Sequence, residues 1–243
     1  MISIIIPLFN ERDNVIQYSS DLFPVIDEIA RQCREPFEYV MVDDGSRDDT
    51  LTQLKSVAQG RQDVIILHHE ENAGMGNAIK TGIAHAHGDL IVTMDSDLTF
   101  RPCDVKDLVV AYRKTGADCV SGSPYLQDGL MEEVSPLRLF LSRSVNFLYR
   151  LLLRGNISCV SPIFRLYKRE IFDNLTITSQ NFEINAEIIS KLIINKKHVV
   201  EVPVPLLKRK RGSSKINIRK EMKNYLCLLY KIFRTKYLHL EWQ

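Results

Sequence analysis

The chain has 243 residues, 45% hydrophobic and 26% charged, with a formal net charge of +2. This is enough apolar material for one substantial core with a C-terminal appendage, and no apolar run approaches the roughly 20 residues a bilayer-spanning helix requires. The small net charge hides an asymmetry: between Lys191 and Lys236 there are 14 Lys or Arg against Glu201 and Glu221, a balance of +12 that leaves −10 elsewhere.

In chain order, short β-branched runs alternate with helical patterns, the signature of βα units and a mostly parallel sheet. Residues 3–8 read as the first strand, and the lack of a basic leader before Pro7 argues against a signal peptide and for a cytosolic protein. A helical pattern runs from about Asn14 to Arg31, and Pro24 is expected to kink or split it. Residues 37–42 form the next strand, ending in Asp43-Asp44-Gly45-Ser46, and residues 48–59 the next helix. Residues 64–67 are a third strand. The turn Asn72-Ala73-Gly74-Met75-Gly76 then opens a helix ending near Gly88, and residues 90–94 are the fourth strand. The acidic and glycine-rich turns therefore fall on one edge of the sheet, where open α/β folds collect ligands.

Asp95-Ser96-Asp97 follows that fourth strand directly. Two carboxylates at spacing two repel each other unless a cation lies between them, and Mg²⁺ takes one or two carboxylates while completing its shell with water and phosphate oxygens. A phosphorylated substrate is thereby implied. Gly74 and Gly76 fit either a phosphate-approaching turn or a structural one. No Gly-x-Gly-x-x-Gly follows the first strand, so a dinucleotide fold is excluded by motif. The five cysteines are scattered and unpaired in pattern, as in reduced thiols, and His68, His69, His85 and His87 read as ordinary strand-end and helix residues.

The sequence Pro7-x-Phe9-Asn10-Glu11, Asp43-Asp44-Gly45-Ser46, Gly74-x-Gly76, Asp95-x-Asp97, Phe164-Arg165-Leu166-Tyr167 and Arg209-x-x-Gly212-x-Ser214-Lys215, in that order, resembles glycosyltransferase family 2. Within it the chain looks most like dolichyl-phosphate mannose synthases and polyprenyl-phosphate glycosyltransferases. The resemblance covers residues 2 to about 217 and implies an α/β fold of the GT-A type. A nucleotide-sugar half would span residues 1–100, an acceptor half 101–217, and a basic amphipathic segment 218–243. It also implies roles. Pro7, Phe9, Glu11, Met41 and Asp43 would line the nucleotide pocket, and Asp95, Ser96 and Asp97 would hold the sugar-diphosphate. Mg²⁺ or Mn²⁺ would be held by Asp95, Asp97 and Thr99. Arg209 and Lys215 would reach over the diphosphate, and Arg138 and Ser142 would meet the lipid phosphate. Departures from the pattern are Phe9 for Tyr, Thr99 for Gln, Pro124 for Arg, Cys159 for Asp and Ile163 for Gly.

Residues 136–154 carry Leu137, Phe140, Leu141, Val145, Leu148 and Leu152 as an apolar stripe, with Arg138, Ser142 and Asn146 at spacing four on another face. Residues 216–236 read as a basic amphipathic helix suited either to an anionic membrane surface or to packing on the domain. The expected partners are a nucleotide-sugar donor, a polyprenyl-phosphate acceptor and the cytoplasmic face of a membrane, reached peripherally or through a separate membrane subunit. Nucleic acid is not expected, because stacking aromatics are not interleaved with the basic residues.

Overall fold

The structure, a computed structural model, describes residues 1–132, 136–155, 157–212, 218–238, 240 and 242, with 136–138, 141 and 218–219 described as backbone only. Among the described residues one sheet has seven strands: β1 (Ile2–Leu8), β2 (Phe37–Asp44), β3 (Val64–His69), β4 (Leu90–Thr93), β5 (Cys119–Ser123), β6 (Arg165–Lys168) and β7 (Val199–Pro203). Their order is β3-β2-β1-β4-β6-β5-β7. β6 runs antiparallel to both of its neighbours, and the other pairings are parallel.

β1 is buried along its whole length because it carries apolar side chains on both faces, as a central parallel strand must. Ile2, Ile4, Ile6 and Leu8 join Tyr39, Met41 and Val92 in a core on one side. Ile5 joins Val40, Val42, Ile91 and Ala78 on the other. A further core gathers Tyr149, Ile184, Ile188, Ile189, Leu192, Leu228 and Ile232 in the second half of the chain.

The helices are α1 (Arg12–Val15), α2 (Tyr18–Asp21), α3 (Phe23–Cys33), α4 (Thr50–Val57), α5 (Met75–His85), α6 (Val105–Thr115), α7 (Pro136–Leu153), α8 (Ile184–Ile194) and α9 (Ile218–Leu238). The expected Asn14–Arg31 helix is thus three pieces. Pro24 lies in the first turn of α3, where its missing N–H has no intrahelical partner to lose. α9 packs on the domain through Leu228 and Ile232, and Tyr149 Oη donates to Tyr225 O at 3.0 Å.

β2 runs two residues beyond its expected end, with Asp43 paired to Leu8 and to His68. Alternation along the strand then sends Asp43 and Asp44 to opposite faces, so the two neighbouring acids serve different purposes.

Candidate active site

The exits of β1 and β2 are bolted together by hydrogen bonds between their loops. Asn10 takes φ +54° and donates its amide to Ser46 Oγ at 2.9 Å, while its Oδ1 accepts from Arg47 N at 2.8 Å. Glu11 N donates to Thr50 Oγ1 at 2.8 Å, and Asn14 Nδ2 donates to Glu11 Oε2 at 2.6 Å. Glu11 is thereby fixed at the sheet edge beside a cavity of about 190 Å³ that Asn10, Asp48 and Gly212 also line. Burial raises its pKa, an effect the adjacent Arg209 only partly offsets.

The β4 exit carries Asp95 and Asp97. Thr99 donates both its amide, at 2.8 Å, and its hydroxyl, at 2.7 Å, to Asp95 Oδ2. Asp95 Oδ1 is buried without a partner. Leu98 at φ +55° turns the loop, and Tyr18 Oη donates to Ser96 O at 2.7 Å from below. Burial, and then the neighbouring Asp97, push the Asp95 carboxyl well above its ordinary range. Burial also opposes ionisation of Asp97, but the adjacent Asp95, the positive charge of Arg209 and the Thr99 amide outweigh that and lower its pKa.

The segment after β7 straps the two halves of the site. Leu206 pairs with the Leu130–Glu132 stretch, its amide donating to Leu130 O at 2.7 Å. Leu207 N donates to Thr99 O at 2.9 Å, and Arg209 then reaches Asp97 at 3.2 Å and pairs with Glu11. Lys215 lies outside the described residues, as does the side chain of Arg138.

On the other side of the strap, a cavity of about 260 Å³ lies between Pro124, Tyr125, Met131 and Leu139, with Arg143 and Asp128 also on its wall. Tyr125, on the cavity wall, donates its Oη to Ser142 Oγ at 2.8 Å. Cys159, where the resemblance implies an acid, is buried and lies 3.4 Å from Asn146 Nδ2. The carboxylate in this region is Glu201, which accepts from Ser158 N at 2.7 Å and from Cys159 N at 3.3 Å. Arg165 is fully buried and donates to Ser121 Oγ at 3.0 Å and Val160 O at 2.7 Å, so it braces the same loop.

The sheet edge thus brings Glu11, Asp95, Ser96, Asp97, Thr99 and Arg209 together. Phe9 is half-buried beside them, whereas Pro7 is buried within β1 and Met41 is fully buried within the core. Asp43 is also fully buried, with Oδ2 2.7 Å from His68 Nδ1 and Oδ1 unpartnered. The turn glycines have a structural use. Asp44 accepts from Ala73 N and Gly74 N at 3.0 and 2.8 Å, and Gly76 N donates to Gln180 O at 2.8 Å. A Cβ at Gly76 would lie 2.7 Å from Gln180 C, so close chain approach, and not a phosphate, explains that glycine. His68, His69 and His87 each face a carboxylate: Asp43, Asp44 and Glu38. Sequence spacing hid these pairs because they form across strands and loops. Tyr18, Asn14 and Arg143 were also missed; Tyr18 reads in sequence as one more apolar-face residue.

A family model described as glycosyl transferase family 2 matches residues 3–176. The chain belongs to that family. It is 30% identical over 235 residues to a dolichol-phosphate mannosyltransferase of Pyrococcus furiosus, covering 96% of this chain and 64% of the relative. It is also 30% identical over 229 residues to a polyprenol monophosphomannose synthase of Mycolicibacterium smegmatis, covering 90% of this chain and 83% of the relative. The chain therefore spans just under two thirds of the length of the archaeal relative.

Among solved structures, glucosyl-3-phosphoglycerate synthase from Mycobacterium tuberculosis with Mn²⁺, UDP and glucosyl-3-phosphoglycerate superposes with a TM-score of 0.68 at 16% identity, covering 97% of this chain and 79% of that one. The UDP complex gives 0.70 at 17%, covering 96% and 80%. These likenesses establish the GT-A fold for this family 2 member.

The residues present fit a divalent metal. Among the described residues no three His, Cys, Asp or Glu side chains converge, but Mg²⁺ and Mn²⁺ at such sites need only one or two carboxylates with phosphate and water. The buried, unpartnered Oδ1 of Asp95 is the kind of oxygen such an ion would satisfy. Among the described residues no helix is long and apolar enough to cross a membrane.

Proposed function

We propose that the chain transfers a hexose from a nucleotide sugar to a polyprenyl phosphate with inversion at the anomeric carbon, GDP-mannose being the first donor to test and a UDP-hexose the second. The observation that carries this is the meeting of Asp95, Asp97 and Glu11 with Arg209 at the sheet edge, one strap away from a half-apolar cavity bearing Arg143. The polyprenol-type names of the two curated relatives support the acceptor class.

In this reading Glu11 and Asp43 hold the nucleoside, and Asp95 and Asp97 hold Mg²⁺ or Mn²⁺. A bound ion would supply positive charge to offset the negative charge that develops on the departing diphosphate. Arg209 adds a guanidinium to the same oxygens, which suits bidentate phosphate contact, a role the family resemblance also gives Lys215. The phosphate-monoester acceptor is already anionic at neutral pH, so Ser142, Arg143 and Arg138 serve to place its oxygen in line with the anomeric carbon. Displacement from the face opposite the diphosphate turns an α-linked donor into a β-linked product.

The acceptor would be met at the cytoplasmic face of a membrane. α7 exposes Phe140, Phe147 and Leu151, and α9 exposes Leu226, Tyr230 and Phe233. Arg150 lies 5.9 Å from the Phe147 ring and Arg234 5.8 Å from that of Tyr230. Aromatic side chains flanked by cations suit the interface of an anionic bilayer, with or without a membrane partner subunit.

A thermal-shift panel of GDP, UDP, GDP-mannose, UDP-glucose and UDP-N-acetylglucosamine, each with and without Mn²⁺ or Mg²⁺, tests the donor half of the proposal. A metal-dependent rise in Tm with one nucleotide class supports it and selects the base. No shift with any donor refutes it.

A further inference from the structure

Arg209 stands where a cation belongs. Its Nη1 lies 3.2 Å from Asp97 Oδ2, its Nη2 pairs with Glu11 Oε2, and its Nε donates to Arg211 O at 2.7 Å. Gly212 makes room for this arrangement: at φ +69°, a Cβ there would come 3.1 Å from Arg209 Nη2. The strap fixes the residue's approach through Leu207 and Thr99, and the side chain is only 20% exposed. Asp97 therefore has an oxygen committed to an internal positive charge, while Asp95 keeps one unpartnered oxygen.

We propose that Arg209 is an exchangeable counter-ion that neutralises Glu11 and Asp97 when no donor is bound and moves onto the diphosphate oxygens when metal and donor enter. The inference rests on the reading of Asp95 and Asp97 as a metal site and adds to it a coupling between metal and nucleotide. A metal ion arriving alone meets an Asp97 already paired, and displacing the guanidinium strands a partly buried cation. A diphosphate arriving with the metal supplies the anion that the guanidinium then grips with two parallel hydrogen bonds. Each ligand thus strengthens the other by the same factor, as linkage requires.

The test is a Mn²⁺ titration of the full chain, followed by the electron paramagnetic resonance signal of free Mn²⁺, with and without GDP or UDP. Wild type is compared with Arg209→Gln, Arg209→Lys and Gly212→Ala. Arg209→Gln is expected to bind Mn²⁺ alone at least about fivefold more tightly than wild type, the lower end of ordinary coupling factors, and to lose a similar factor of cooperativity with the nucleotide. Gly212→Ala, whose Cβ would press on the guanidinium at 3.1 Å without touching a charge, is expected to tighten Mn²⁺ binding in the same direction by a smaller factor, and Arg209→Lys to fall between wild type and Arg209→Gln. Unchanged or weaker Mn²⁺ binding in both Arg209→Gln and Gly212→Ala overturns the exchange. A wild-type chain that binds Mn²⁺ but neither nucleotide overturns the donor-site reading instead, and the comparison of Mn²⁺ affinities still decides whether Arg209 competes with the metal.

Discussion

Thr99 gives Asp95 two hydrogen bonds to one oxygen, from its amide at 2.8 Å and its hydroxyl at 2.7 Å, and the other oxygen of this buried carboxylate has no partner. Thr99 thus orients the carboxylate from the side, in place of the longer amide that the family resemblance leads one to expect there. Thr99→Val keeps the amide and removes the hydroxyl. It is expected to lower stability by about 1 kcal/mol, the usual worth of one such bond, and to weaken Mn²⁺ binding several-fold by freeing the carboxylate to rotate. Chemical denaturation and a Mn²⁺ titration measure the two effects separately.

Tyr18 supports the same loop from beneath, its hydroxyl donating to Ser96 O at 2.7 Å from a fully buried ring. Tyr18→Phe leaves that carbonyl without its donor at an expected cost of about 1–3 kcal/mol. Because the loop carries Asp95 and Asp97, kcat/KM is expected to fall about tenfold, which equals 1.4 kcal/mol of transition-state stabilisation. Steady-state kinetics beside a denaturation curve check both numbers.

Arg143 lines the cavity beside Tyr125 and Leu139, and among the described residues it makes no ion pair. Arg143→Gln is expected to raise KM for a short-chain polyprenyl phosphate about tenfold or more while nucleotide affinity stays at the wild-type value, since a charge-assisted contact to phosphate is worth about 1.5–3 kcal/mol. An equal loss of donor binding would place Arg143 elsewhere in the mechanism.

Glu187 and Lys191 form a buried pair at 2.7 Å on α8, with Thr178 and Ser179 also donating to the carboxylate. The pair holds the segment that meets Gly76 through Gln180. Burial opposes ionisation of Glu187, but Lys191 and these donors outweigh it and lower its pKa. A carboxylate with a depressed folded pKa contributes stability that is present above its unfolded value and is lost as pH falls through the folded one. Glu187→Gln is therefore expected to cost about 3–5 kcal/mol at pH 7, with the deficit shrinking below about pH 4. Urea unfolding of both proteins across that range measures it.

α7 and α9 both expose aromatic side chains, Phe140 and Phe147 on the one and Tyr230 and Phe233 on the other. Phe147→Asp combined with Tyr230→Asp is expected to release the chain from anionic liposomes by about tenfold or more while leaving nucleotide binding intact, since it removes buried apolar area and adds repulsion. Co-sedimentation at two salt concentrations reads this out. Retained binding would move the attachment to another surface.

Much of this architecture is legible in the residues themselves. The β-branched runs before Pro7, Asp43, His68 and Met94 mark β1 to β4, because a central parallel strand must be apolar on both faces. Asp95 and Asp97 stand out for the same reason: carboxylates directly after a buried strand can only be at the sheet's edge. What sequence spacing conceals is contact across the fold. The Asp44 bonds to Ala73 and Gly74, the seating of Gly76 against Gln180, and the pairing of Arg209 with Glu11 each join residues remote in the chain. The extension of β2 through Asp44 was hidden as well, since acidic residues disfavour strands on propensity and only pairing with β1 and β3 overrides that.

The most direct test is transfer itself. The full chain is incubated with Mn²⁺, a radiolabelled nucleotide sugar chosen from the thermal-shift panel, and a short-chain polyprenyl phosphate, and the organic phase is analysed by proton NMR. The assignment expects a lipid-soluble sugar phosphate of β configuration from wild type and none from Asp97→Ala. Donor binding without transfer to any polyprenyl phosphate, or a product that retains the α configuration, would contradict it.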